Sequence, residues 1–177
     1  MTAPTSTPPV GSTAIPSPKQ QFIDSLQREH EKTRRVIEAY PADQGEFRPH
    51  PRSSNARQLV WTFAVEERLI LAALKDQLKL GGGFPPAPES WEEVVSAFKQ
   101  AHKDVAAALA AARDDEFAGT VKFFTAQKTM GDLPKMEFFW FMLCDQIHHR
   151  GQLSVYLRMA GGKVPSIYGP SADEPWL

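Results

Sequence analysis

Cysteine is almost missing from this chain, since Cys144 is the only one among its 177 residues. An internal disulfide is therefore excluded, and the composition fits a reducing compartment. The sequence also lacks an apolar run of about 18 residues, the length needed to span a bilayer. The nearest run, Phe138 to Cys144, is far too short and ends at Asp145. We therefore expect a soluble, cytoplasmic protein with no membrane partner.

An excess of charge of either sign is missing as well. The chain has 20 Lys and Arg residues against 21 Asp and Glu residues, for a formal net charge of -1. This balance gives no overall field to hold DNA or RNA, so a nucleic-acid partner is not expected. The hydrophobic share of 42% and the charged share of 23% are those of an ordinary globular protein.

Residues 1–18 contain five prolines and several serines and threonines, but no charged residue. They lack the basic start and apolar centre of a signal peptide. Their composition predicts a disordered tail. The remaining residues, 19–177, have the length of one domain with a core of its own.

Helical periodicity is what the rest of the chain does contain. Ser90 and Asp132 are good N-caps, and Pro41, Gly81 and Gly161 end the first, second and fourth apolar periodic stretches. The predicted helices cover residues 19–40, 53–80, 90–113 and 132–160. Residues 114–131 fit an irregular loop or a short strand equally well. Four amphipathic helices predict an all-α four-helix bundle, and the apolar C-terminal tail is expected to pack back on it.

An acid and an imidazole stand four residues apart in the fourth predicted helix, at Asp145 and His149. At this spacing both side chains leave the same face of the helix, one turn apart. They continue the stripe that begins at Phe138 and Met142, so we expect both to face the bundle axis. The stripe goes on through Gln152 and Tyr156.

Glu66 lies in the middle of the buried face predicted for the second helix, with Thr62 and Glu67 at the margins of that face. An unpaired carboxylate in a dry core costs several kcal/mol, so Glu66 must meet a cation, a metal or a proton. One interpretation is a divalent metal, Zn, Ni, Fe or Mn, bound by Glu66, Asp145 and His149. The alternative is a buried hydrogen-bond network of the same three residues without metal.

The remaining histidines and the cysteine carry weaker signals. His30 and His102 lie on apolar faces of their helices, where each is either a further ligand or a core histidine held by one hydrogen bond. For each of them taken alone we favour the core histidine. We expect His50 and His148 at the surface or behind the site, and Cys144 as a small core residue rather than a nucleophile.

The chain resembles the DinB/YfiT-like superfamily of metal-dependent four-helix-bundle proteins. The segments that carry this resemblance are His148–Arg158 (HHRGQLSVYLR), Val164–Pro170 (VPSIYGP) and Leu59–Arg68 (LVWTFAVEER). It spans residues 22–177 and implies a divalent metal bound by three histidines, one on the second helix and two on the fourth. His149 matches the last of these, whereas Thr62 and Asp145 stand at the other two positions. The resemblance therefore leaves Glu66 to replace the second-helix histidine.

Two functions follow from this resemblance. The first is a metal-dependent enzyme, a thiol S-transferase or hydrolase, that acts on a small molecule and uses a low-molecular-weight thiol in the transferase case. Glu66 and Asp145 would then move protons, and Gln152 and Tyr156 would contact the substrate. The second is a non-catalytic ligand-binding or stress-associated protein with a degenerate metal site. The resemblance and the apolar run Phe138–Met142 also predict a homodimer.

Overall fold

Within residues 15–81 and 83–177, which the computed structural model describes, four long helices form the body of the molecule. They are α1 (Pro18–Glu38), α2 (Ala56–Leu74), α3 (Trp91–Ala111) and α4 (Lys135–Met159). Side-chain oxygens of Ser17, Asn55 and Ser90 accept the backbone N–H three residues further on. Each cap satisfies an N–H group that the first helical turn leaves free. The predicted bundle is confirmed, although α2 ends six residues earlier than residue 80.

A β-hairpin between α3 and α4 corrects the all-α prediction. Strands β1 (Thr120–Ala126) and β2 (Thr129–Pro134) pair antiparallel, and Lys122 is opposite Asp132. The Lys122 Nζ and Asp132 Oδ2 atoms form an ion pair of 2.8 Å across the strands. Asp132 was therefore wrongly predicted as a helix cap, because its side chain stabilises the hairpin instead. The fold is mostly helical with a small two-stranded sheet.

Two apolar clusters fill the two ends of the bundle, and a band of buried polar side chains separates them. Phe22, Ile70, Val105 and Phe138 belong to one cluster, and Val36, Phe63, Phe98 and Leu157 to the other. We call the band between them the polar layer; it comprises His30, Thr33, Glu66, Glu67, His102, Gln146 and Arg150. Each of the four helices contributes at least one residue to it. Because buried polar groups need partners, the polar layer is where a binding site is expected.

The segment after α4 lies against the bundle, as the sequence predicted. The hydroxyl of Tyr168 donates to Oε2 of Glu29 at 2.5 Å and accepts from Nη2 of Arg150 at 2.5 Å. Arg150 also pairs with Oε2 of Glu29 at 2.7 Å and is 1% exposed. Arg150 lies on a different face of α4 from Asp145. That face is buried against Glu29 and Thr33 of α1.

The predicted disordered tail lies outside the described residues, apart from residues 15–18, of which Pro18 already begins α1. Among the helices in the described ranges, none is long and apolar enough to cross a membrane.

Candidate functional site

Glu66 of α2 meets Asp145 and His149 of α4 across the interface of the two helices. The Nδ1 atom of His149 is 2.9 Å from Oε1 of Glu66, and its Nε2 atom is 3.9 Å from Oδ1 of Asp145. One ligand atom from each residue can be chosen so that all lie within 4.8 Å of one another. The structure thus brings together the three residues that the sequence singled out as metal ligands.

Burial is uneven across this cluster. Glu66 is 3% exposed, whereas the side chains of His149 and Asp145 are 19% and 38% exposed. Burial raises the pKa of Glu66 to about 8, against the opposing effect of the hydrogen bond with His149. The hydrogen bond with Glu66 in turn raises the pKa of His149. The second carboxyl oxygen of Glu66, Oε2, is buried and has no hydrogen-bond partner, which is an expensive condition for a polar atom.

A cavity of about 200 Å³ adjoins the cluster, and both Glu66 and Asp145 line it. Its other walls are mainly apolar and include Trp61, Leu69, Phe84, Phe141 and Met142. A second cavity of about 460 Å³ shares Val65, Leu69 and Phe84 with the first. The carboxylates therefore lie beside apolar space that a small organic molecule can enter.

The two residues predicted as substrate contacts, Gln152 and Tyr156, make hydrogen bonds outside the cluster. Gln152 is exposed and its amide bonds Nε2 of His148. Tyr156 is buried, and its hydroxyl donates to the carbonyl of Ser54. Neither hydrogen bond leads to the cluster, so their roles as substrate contacts stay predictions. Cys144 is exposed, which corrects its interpretation as a core residue.

A second cluster of possible metal ligands lies entirely in the polar layer and consists of His30, Glu67 and His102. The Nδ1 atom of His102 is 3.1 Å from both carboxyl oxygens of Glu67, and Nδ1 of His30 is 3.4 Å from Oε1. The two imidazole rings stack with centroids 3.3 Å apart. Burial lowers the pKa of His30. The sequence favoured a core histidine held by one hydrogen bond at each position. The structure instead brings both histidines together around Glu67.

Sequence reasoning placed Glu67 at the edge of the buried face of α2, and the structure shows it to be 0% exposed. The reason is that α2 packs against both α3 and α4, so two of its faces are buried rather than one. The sequence did contain a signal for the burial of Glu67, namely two adjacent glutamates in an otherwise apolar helix. Each of them points to a different neighbour, Glu66 to α4 and Glu67 to α1 and α3.

Taken together, the fold and the site define a class: a four-helix bundle that gathers carboxylates and histidines between facing helices. The family comparison agrees with this class. The model of the DinB family matches residues 12–176, and the chain belongs to that family.

Two solved structures similar to this chain are DinB-like proteins. One, from Bacillus cereus ATCC 10987, superposes with a TM-score of 0.68 at 23% identity and covers 84% of this chain and 97% of its own. Another, YjoA from Bacillus subtilis, gives a TM-score of 0.64 at 17% identity and covers 82% of this chain and 96% of its own. At these identities the likeness shows the fold alone.

A curated relative is the uncharacterized protein YrdA of Bacillus subtilis strain 168. It is 33% identical over 89 residues, which make up 50% of this chain and 51% of YrdA. The chain thus spans about half the length of this relative. The family and the fold are therefore established, and the chemistry has to be argued from the site.

Proposed function

We propose that the chain is a metal-dependent enzyme that acts on a small, partly apolar molecule at Glu66, Asp145 and His149. The observation that carries this proposal is the buried Oε2 atom of Glu66, which has no hydrogen-bond partner and belongs to a cluster of three possible ligands. Leaving a buried acceptor without a partner costs about 1–3 kcal/mol. A cation held jointly with Asp145 and His149 would offset this cost.

The donor set fits a divalent metal. Two carboxylates and one imidazole suit Zn, Ni, Fe or Mn, and three protein ligands leave positions for water or substrate. When bound, such a metal lowers the pKa of a coordinated water or thiol toward neutrality. This is the chemistry that a hydrolase or a thiol S-transferase needs. A low-molecular-weight thiol is the co-substrate in the second case.

Side chains around the cavity would supply proton transfer and binding of the substrate. Glu66 lines the cavity beside Asp145 and is the candidate for moving a proton to or from the substrate. Asp145 lines the cavity from the α4 side and is exposed enough to exchange protons with solvent. Trp61, Phe141 and Met142 give the cavity apolar walls, which bind an apolar group and exclude water.

Metal analysis of untagged protein tests the ligand set. We expect Asp145→Ala and His149→Ala each to lose one equivalent of bound zinc, nickel or manganese. His148→Ala is the matched control, since His148 is exposed and next to His149 but outside the cluster. Variants of Asp145 and His149 that keep the full metal content of the wild type would contradict the proposal. A screen for thiol transfer and ester or amide hydrolysis, with Glu66→Gln as the inactive comparison, then tests catalysis.

A second candidate is a non-catalytic ligand-binding protein of the same fold, in which the cluster is a hydrogen-bond network. The position of Thr62 favours it, because its hydroxyl donates to the carbonyl of Gln58 and adds no imidazole to the site. This candidate expects no metal at Glu66, Asp145 and His149, so Asp145→Ala and His149→Ala should leave both the metal content and the thermal shift on adding zinc, nickel or manganese unchanged. Tight binding of an apolar small molecule without turnover would support it.

A further inference from the structure

We propose that His30, Glu67 and His102 form a second divalent-metal site, a structural one that ties α1, α2 and α3 together in the polar layer. The proposal does not depend on the proposed function, since the two clusters share no side chain. Zinc suits two imidazoles and one carboxylate, and it would reach four ligand atoms if Glu67 binds through both of its oxygens.

The spacing of the donor atoms supports this assignment. In a tetrahedral site with bonds of about 2.0 Å, neighbouring ligand atoms are about 3.3 Å apart. The distances from Nδ1 of His102 to the two oxygens of Glu67 are both 3.1 Å, and the distance from Nδ1 of His30 to Oε1 is 3.4 Å. The three side chains are 7%, 0% and 7% exposed, so water does not compete freely for them.

The hydrogen-bond roles point the same way. Nε2 of His102 lies 3.1 Å from the amide oxygen of Gln27, and the tautomer with its proton on Nε2 donates this hydrogen bond. In a neutral His102 the Nδ1 lone pair then faces the carboxylate of Glu67, and two acceptors do not bond. A cation between them resolves the conflict, and Gln27 orients the imidazole from behind, as outer partners of metal-bound histidines do.

His30 adds a second, independent observation. It is buried, and its Nδ1 atom lies 3.4 Å from Oε1 of Glu67 without forming a hydrogen bond. A buried nitrogen without a partner is costly, and a cation shared with Glu67 would supply one. Binding also changes the ring geometry, because a metal lies in the plane of each imidazole that it ligates. The rings, now 10° from parallel, must tilt apart when the ion enters.

Zinc titration of the chelator-stripped, untagged full chain tests the site. The starting protein is the double variant Asp145→Ala/His149→Ala, which lacks the cluster at Glu66. We expect it to bind one equivalent of zinc, and Glu67→Gln in the same background to bind none. Cobalt in place of zinc is expected to give the visible absorption of a tetrahedral site in the first protein and to lose it in the second.

Gln27→Ala keeps the test decisive if Glu67→Gln does not fold, because Gln27 is exposed. We expect this variant to bind zinc about tenfold more weakly. His148→Gln, made in the same background, is the matched control and should bind as the double variant does. No zinc in the double variant, or unchanged affinity after Glu67→Gln or Gln27→Ala, would overturn the proposal and leave a protonated His102 as the partner of Glu67.

Discussion

Thr62 is the residue at which this chain departs most clearly from the three-histidine pattern that its family resemblance implied. Thr62 and Glu66 lie four residues apart on α2 and line the same cavity. We therefore expect Thr62→His to add an imidazole to the site and to tighten zinc binding by about tenfold, or about 1.4 kcal/mol. Competition with a chelating dye measures the change.

Arg68→His is the control for this substitution. Arg68 is also on α2, but it is exposed and lines the neighbouring cavity rather than the cluster. It should leave zinc affinity unchanged. Equal zinc affinities for Thr62→His and the wild type would show that position 62 of α2 is too far from the bound zinc to ligate it.

At the residue scale, the sequence predicted the Glu66, Asp145 and His149 cluster because each residue interrupts an apolar stripe. It did not predict Gln146, which is 2% exposed. The reason is that α4 packs against both α1 and α2, so a single a/d stripe describes only part of its buried surface. The same stripe, continued three residues beyond His149, reaches Gln152, which is exposed. A stripe of fixed spacing drifts around a helix of 3.6 residues per turn.

The hairpin is the element through which the chain adds an aromatic side chain to the wall of the candidate site. Phe123 of β1 is 8% exposed, lines the cavity and contacts Phe138 with ring centroids 4.9 Å apart. We expect Phe123→Ala to lower the free energy of unfolding by about 3 kcal/mol through the cavity that it leaves. Urea denaturation measures this.

Phe124 gives the matched comparison, because it is the next residue but points outward and is 54% exposed. Phe124→Ala should change stability by less than about 0.5 kcal/mol. Similar losses for both variants would mean that the two faces of the hairpin do not differ in packing.

This hairpin could not be predicted because its second strand has almost no strand signal. Thr129–Pro134 contains a glycine and a proline and only one β-branched residue. The first strand does alternate, with Val121 and Phe123 buried, but a single alternating strand without a partner is indistinguishable from a loop. Helices α1, α2 and α3, by contrast, carry both periodicity and N-caps, and those signals agree with each other.

The contact between Tyr168 of the C-terminal segment and Glu29 predicts that the free energy of unfolding falls at acid pH. Burial would raise the pKa of Glu29, but hydrogen bonds from Lys32, Tyr168 and Arg150 more than offset it, and the pKa lies below its ordinary 4.5. The carboxylate therefore stabilises the fold fully above about pH 4.5 and loses this effect as pH falls through the lowered folded pKa. We expect Glu29→Gln to flatten the pH dependence of thermal stability in that range.

Tyr168→Phe is the milder test of the same contact. It removes the hydroxyl that bonds both Glu29 and Arg150, and we expect a loss of about 1 kcal/mol at neutral pH. The expected loss is small because the tyrosine is 61% exposed. If Glu29→Gln and the wild type have the same pH dependence of thermal stability between pH 3 and pH 5, the hydrogen bonds of Glu29 do not contribute to it.

For the whole molecule, association stays a prediction from the run Phe138–Met142. Most of this run is buried in the bundle, but Trp140 and Phe141 are 37% and 50% exposed. If the chain pairs through this run, Trp140→Glu should convert dimer to monomer in sedimentation equilibrium. Val155→Glu is the control on the same helix, since Val155 is 57% exposed and lies outside the run. A wild type that remains monomeric at high concentration would rule out a homodimer.

The polar layer has a consequence for how the helices find their alignment. One apolar side chain can take the place of another when a helix slides by a turn of about 5.4 Å, with little change in energy. Glu66 and Glu67 cannot be moved in this way, because a slipped helix would bury both carboxylates among phenylalanines and leucines at a cost of several kcal/mol. We therefore expect the polar layer to fix the position of each helix along the bundle axis. A chain with leucines in place of these residues should still collapse, but its helices should pack in more than one register.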